Sequence, residues 1–208
     1  LLSARLRQKI KAIQKLFQEL DQETGALQRS TGLSCTTGCS RCCLSPQVET
    51  TVAEMLPMAA ALHEQGRSSA FHQYLAQSCV DGDPICVVLH RKTPTGAQGS
   101  CSQYAERPGI CRLFGFAGQR DKQGQARLSP CAQLKTHEGE RIKQIQQDAQ
   151  EGRLSIPLFY TLPARVALAA DSESEPLLPI NEALRQAIER VELDAAYHGS
   201  GSFLAELR

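Results

Sequence analysis

From Leu6 to Leu27 the apolar residues Leu6, Ile10, Ile13, Leu16, Phe17, Leu20 and Leu27 mostly return at intervals of three and four, the spacing of one face of an α-helix. The pattern predicts an amphipathic helix over residues 2–28, with Gly32 placed to end it. Residues 48–64, VETTVAEMLPMAAALHE, carry Ala, Met and Leu at helical spacing around Pro57, which predicts a helix kinked or split at the proline. Further helices are expected from Ser68 to Gln77 and from about Cys131 to Gln150, the latter with Ile142, Ile145 and Ala149 on one face. INEALRQAIERVELDAAYHG predicts a C-terminal helix capped by Asn181 and stopped at Gly199. PLFYTLPARVALAA is ambiguous and fits a short helix between prolines.

Between these periodic segments the chain is irregular. Ser34 to Ser45 is too rich in Gly, Ser and Thr for a regular element. Residues 81–125 are dense in Gly and Pro; only ICVVL, and less clearly CRLFGF, read as short strands or buried extended segments. A stretch this long and irregular is uncommon inside a folded domain unless something else organises it.

At 208 residues the chain can bury a substantial core without covalent staples. No Trp and 5% aromatics make that core aliphatic. Lys+Arg 23 against Asp+Glu 22 leaves no field to attract nucleic acid or an acidic membrane. No apolar run approaches the roughly 20 residues of a membrane span, and the opening LLSARLRQKIKAIQKLFQEL is too charged for an export signal. The first residue is Leu, so an upstream start is expected, and the reducing cytoplasm is the expected compartment.

The sulfur changes this ordinary picture. Of nine cysteines, eight (Cys35, Cys39, Cys42, Cys43, Cys86, Cys101, Cys111 and Cys131) fall in the irregular stretches or at their edges; Cys79 stands near a helix end. Structural disulfides belong to small secreted chains, and the vicinal pair Cys42 and Cys43 could close only a strained ring. A catalytic Cys39-x-x-Cys42 dithiol would need a strand-helix-strand setting that the pattern lacks. Metal binding explains most: thiolates two or three residues apart can converge on one centre, and four suit zinc or an iron–sulfur cluster. Eight loop thiols would serve two such sites, or one full site and a looser cluster. Adjacent Cys42 and Cys43 are expected to diverge and serve different irons or centres. Arg41, Arg107 and Arg112 adjoin candidate ligands or their loops and could offset the charge. His63, His72, His90 and His137 have no short ligand spacing and read as surface or core histidines.

The run CTTGCSRCC, then ICVVL, then CSQYAERPGICRLFGF and Cys131 resemble the YkgJ-type cysteine-cluster family, described as zinc- or iron-chelating domains. Cys35, Cys39, Cys42 and Cys43 match its first element, and Cys86 its second. Cys101, Tyr104, Arg107, Pro108, Cys111 and Arg112 match its C-x-x-Y-x-x-R-P-x-x-C-R element. The resemblance covers about residues 32–117, with Cys131 as an extension; Gly115 stands where the family often has proline.

The resemblance implies a metal site ligated by the eight cysteines, with Arg107 and Arg112 tuning charge and Tyr104 and Pro108 shaping the turn. An iron–sulfur cluster, [4Fe–4S], in an electron-transfer, sensing or structural role is the leading expectation, favoured by the surplus of thiols. Zinc in a structural or interaction protein is the alternative. A third implication comes from the flagellin lysine methylases of the family, which look like iron–sulfur enzymes using S-adenosylmethionine. Cys35, Cys39 and Cys42 also copy the radical-enzyme spacing C-x-x-x-C-x-x-C, but Arg41 stands where an aromatic is usual.

The expected architecture is mainly α: helices packed around an irregular cysteine-rich metal-binding loop region with at most short strands. It divides into an N-terminal helical arm (1–31), the cysteine-cluster region (32–135) and a C-terminal helical region (136–208), together one domain. The terminal helices could bind a protein partner or pack on the core; neither nucleic acid nor membrane is expected as a partner.

Overall fold

Ser3 opens the first helix, its hydroxyl accepting the Leu6 N–H at 3.1 Å, and Gly32 closes it. Gly32 sits at φ +69°, donating its N–H to the Gln28 carbonyl at 2.8 Å, a left-handed cap that suits glycine. The helix between them, α1 (Ala4–Thr31), buries the predicted stripe from Leu6 to Leu27. The computed structural model describes residues 1–81 and 85–199, for Cys79, Val80, Asp81 and Gly199 the backbone only. The expected place of Cys79, beside a helix end, therefore concerns a side chain outside the described set.

Helix α2 (Val52–Glu64) starts at a capping box, in which Thr51 Oγ1 accepts the Glu54 N–H and Glu54 Oε2 accepts the Thr51 N–H. Pro57 lies inside it without splitting it, so the expected split is corrected. Every residue from Thr51 to Ala60 is buried: α2 packs against α1 and the C-terminal helix α8 (Ile180–Gly199). Tertiary burial of that extent outweighs the roughly 3 kcal/mol that an interior proline removes. On α8, Ala183, Leu184, Ala187, Ile188 and Val191 face inward, and α3 (Ser68–Asp81) also packs on it. Strand β1 (Glu49–Thr50) pairs antiparallel with β6 (Leu178–Pro179), tying the starts of α2 and α8 together.

The middle of the chain is short pieces. β2 (Leu89–Arg91) pairs with β3 (Gly99–Cys101) and β4 (Gly118–Arg120) with β5 (Ala126–Leu128), both antiparallel. ICVVL therefore contributes only Leu89 to a strand. CRLFGF is not a strand: Cys111 to Leu113 belong to α4 (Gly109–Leu113), because the apolar residues face α1 rather than alternating across a sheet. The expected helix from Cys131 to Gln150 is two, α5 (Ala132–His137) and α6 (Gly139–Gln150); they break at Glu138, whose φ of −125° departs from helical values. PLFYTLPARVALAA yields α7 (Leu162–Ala169) after a 3-10 turn.

Two hydrophobic clusters result. The larger joins α1, α2, α7 and α8; the smaller gathers Leu27, Leu33, Phe116, Leu128, Leu134, Ile145 and Ile156 around α5 and α6. Helix α1 belongs to both, through Leu6–Leu20 and through Leu27. The apolar faces of both terminal helices thus lie in the interior, while Leu193 and Tyr197 of α8 are exposed. Among the described residues no helix is long and apolar enough to cross a membrane.

The capping box predicts that Thr51→Ala lowers stability by about 1 kcal/mol, measured as a drop in the urea midpoint at unchanged slope.

Candidate metal centre

The cysteines are held by short backbone links between segments far apart in sequence. Cys42 and Cys43 lie in a 3-10 turn, Arg41–Leu44, which starts at buried Ser40. Ser40 Oγ donates to the Gly96 carbonyl at 2.6 Å and its N–H donates to the Ala97 carbonyl. Cys39 forms an isolated bridge with Gln98. Gly99 permits this approach, since a Cβ there would stand 3.0 Å from Ser40 Oγ. The Cys86 N–H donates to the Cys43 carbonyl at 2.9 Å. Asn181 holds the same segment from α8: its Oδ1 accepts the Val87 N–H at 3.0 Å and its Nδ2 donates to the Ile85 carbonyl at 2.8 Å. Asn181 lies inside α8, so the expectation that it precedes and caps the helix is corrected.

The sulfurs fall into two sets. Cys42, Cys43, Cys86 and Cys111 line one cavity with Ser45, Val48 and Ile180; Cys101, on β3, acts electrostatically on Cys43 and Cys111 and completes this inner set. Cys35, Cys39 and Cys131 line a second, outer cavity together with His137 and Glu138. The inner set borders the larger hydrophobic cluster, in which Cys86 is buried and against which Cys43, Cys101 and Cys111 pack, whereas Cys131 packs against the smaller. Cys42 links them, its charge reaching Cys35 as well as Cys111.

Cys42 Sγ and Cys43 Sγ are 4.0 Å apart. The two side chains therefore do not diverge as expected, because the 3-10 turn replaces the extended loop. The distance is far beyond the ~2.05 Å of a disulfide, and all eight cysteines with described side chains are free.

Protonation follows from this crowding. Burial and the like charges of Cys42, Cys43 and Cys101 hold the Cys111 thiol well above its ordinary range. Cys42 is raised by its hydrogen bond to Cys43 and by burial. On Cys43 the largest influence, the bond with Cys42, lowers the value, but the bond with Cys86, burial and the charges of Cys86 and Cys101 outweigh it and leave the thiol at about 12. Burial raises Cys101, countered by the Gln103 N–H and Arg107. Cys35 is exposed, yet partial desolvation of its thiol and the charges of Cys131, Cys39 and Cys42 push it up to about 11.

The arginines meet on α1. Asp21 accepts from Arg107 Nη2 at 3.0 Å and from Arg112 Nη1. Arg112, its side chain 4% exposed, also donates to the Arg107 carbonyl at 2.9 Å and to the Ala105 carbonyl, and lies over the Phe17 ring at 4.6 Å. Arg107 covers the Tyr104 ring at 3.9 Å. Arg41 is exposed. Gly115 takes φ +86°, with the position of a Cβ 3.9 Å from Cys131 Sγ; the fixed φ near −65° of a proline could not adopt this turn.

Three residues that sequence reasoning did not associate with the centre adjoin it. Asp21 lies on a helix with no cysteine. Glu54 is fully buried beside α4: its Oε1 has no hydrogen-bond partner and stands 3.0 Å from where a Cβ of Gly109 would be. Burial raises its pKa, although Thr51, Thr50 and the Ile110 N–H act in the opposite direction. His137, read as an ordinary histidine, lines the outer cavity. No spacing signal marked any of them, since each is brought in by packing.

Residues 34–132 match the model of the CxxCxxCC family, "Putative zinc- or iron-chelating domain". This segment belongs to that YkgJ-type family. No curated protein and no solved structure matches the chain. The matched segment holds all eight loop cysteines, while Asp21, His137 and Asn181 stand outside it.

The donor chemistry fits a metal of the family's kind. The residues lining the inner cavity bring sulfur donors and no imidazole or carboxylate, and soft thiolates select zinc, copper(I) or iron–sulfur clusters over hard cations. Among the described residues no three or more Cys, His, Asp or Glu side chains are gathered closely enough to hold a metal ion; the sulfurs border the two cavities instead.

Two outcomes follow. In metal-free, reduced protein the raised thiols keep protons that the unfolded chain, titrating from the ordinary 9.0, has already released. Stability is therefore full below pH 9 and is lost as pH rises through about 11, where Cys35 titrates folded; thermal melts across pH 8–11 read this fall. Asp21→Ala leaves the buried Arg112 without its carboxylate and lowers stability by roughly 1–3 kcal/mol, measured by denaturant unfolding.

Proposed function

We propose that the inner cysteines hold an iron–sulfur cluster of the [4Fe–4S] type, serving electron transfer, sensing or structure. The observation that carries this reading is the convergence of sulfur from Cys42–Cys43, Cys86 and Cys111, three separated pieces of chain, around one cavity with apolar walls, with Cys101 near enough to act on Cys43 and Cys111. Four of these five thiols would ligate. The cluster, when bound, supplies reversible one-electron chemistry and a fixed scaffold for the loops. The chain's own residues do the rest. Val48 and Ile180 give the cavity apolar walls beside the sulfurs, and the Gln103 N–H and the Arg107 charge favour a thiolate at Cys101.

Zinc is the second reading, and one observation favours it. Two thiolates on one tetrahedral ion with bonds of ~2.3 Å lie about 3.8 Å apart, close to the 4.0 Å between Cys42 and Cys43. On a cubane each thiolate takes its own iron and the sulfurs spread further.

Protein purified without oxygen separates the two. The cluster reading expects a brown protein with about four iron and four acid-labile sulfide per chain, lost in Cys111→Ser. A colourless protein with near-stoichiometric zinc and no iron overturns it in favour of zinc.

A further inference from the structure

The outer cavity differs in chemistry from the inner one. It opens to solvent at Cys35, and Cys35, Cys39 and Cys131 share it with an imidazole. The charges of Cys131 and Cys39 both act on Cys35, so the three sulfurs are electrostatic neighbours. Cys131 Sγ accepts the Leu134 N–H at 3.5 Å, which fixes this sulfur at the start of α5.

The histidine is uncommitted. Of the five histidines, His63 and His72 are spent on Glu192 and Glu189, each at 2.9 Å, and His198 on the Asp194 carbonyl at 3.0 Å. The His137 imidazole makes no hydrogen bond or ion pair among the described residues, and the residue is exposed at the cavity. The neighbouring carboxylate, Glu138, is occupied by Arg141 at 3.2 Å. Three thiols and one free imidazole are the Cys3His complement of tetrahedral zinc sites.

We propose that Cys35, Cys39, Cys131 and His137 form a second metal site, separate from the inner cysteines, that takes a zinc-class divalent cation and exchanges it with solvent. The proposal deepens the metal-binding reading above, yet it stands on different residues and a different cavity. Exposure sets its exchange: the inner sulfurs are walled by Val48 and Ile180, while the ion at Cys35 and His137 is within reach of a hydrophilic chelator. The site also joins the loop of Cys35 and Cys39 to α5, so an ion there fixes the smaller hydrophobic cluster beneath Cys131.

The test uses the full chain, purified without oxygen, exposed briefly to EDTA, desalted and titrated with Co2+ alone. The expected result is loss of about one zinc equivalent to EDTA while the inner metal is retained. One equivalent of Co2+ then binds with the strong d–d absorption of tetrahedral coordination. His137→Ala, a change at an exposed residue, weakens that Co2+ about tenfold or more and shifts its d–d bands, and Cys131→Ser abolishes it; the retained inner metal is unchanged in both. The proposal is overturned if no equivalent is labile, or if His137→Ala leaves Co2+ affinity and spectrum as in wild type, which would make Cys42 the fourth ligand. A protein that holds no inner metal but binds the His137-dependent Co2+ overturns the inner-cluster reading and supports this one.

Discussion

Sulfur atoms crowded into an apolar cavity can be neutral thiols or they can surround a cation, but they cannot stand as several uncompensated thiolates. The inner set obeys this constraint: burial and like charge push Cys111 upward, the hydrogen bond to Cys43 and burial raise Cys42, and on Cys43 the bond with Cys86, burial and like charge outweigh the lowering bond with Cys42. A thiophilic metal reverses the sign, since it ligates the thiolate and releases the protons that the thiols otherwise retain. The same cavity thus stores protons without metal and negative sulfur with it, and the loops around it gain their fixed geometry from whichever occupant neutralises them.

Everything else in the fold serves to bring those loops together. Helix α1 touches both hydrophobic clusters, and from its middle Asp21 grips Arg107 and Arg112, which bracket the approach to Cys111. Arg112 spends its donors on Asp21 and on two backbone carbonyls, so its guanidinium is a strut between helix and loop. Asn181 does the corresponding work from α8, holding the backbone on either side of Cys86. The cysteine region is therefore clamped from both terminal helices, neither of which carries a ligand.

The division of the sulfurs has a consequence for how such a chain can handle metal. An inner set walled by Val48 and Ile180 suits a resident centre. An outer set at the surface, with a free imidazole, suits an ion that comes and goes. Cys42 stands between them, 4.0 Å from Cys43 and within electrostatic reach of Cys35.

The sequence by itself determined the helical faces and the sulfur. The stripe from Leu6 to Leu27 is buried as its periodicity required, because a helix of that spacing has only one apolar face to hide. The ligand candidates were legible because C-x-x-x-C-x-x-C-C and R-P-x-x-C-R are local patterns, readable without knowing what they face. A split at Pro57 and a strand at CRLFGF were not realised, since burial of α2 between α1 and α8 and docking of α4 on α1 overrode local propensity. Only the tertiary structure decided the partition into inner and outer sulfurs, the nearness of Cys42 and Cys43, and the places of Asp21, Glu54, His137 and Asn181. Those depend on which helix surfaces meet, and contacts between residues tens of positions apart leave no spacing along the chain to read.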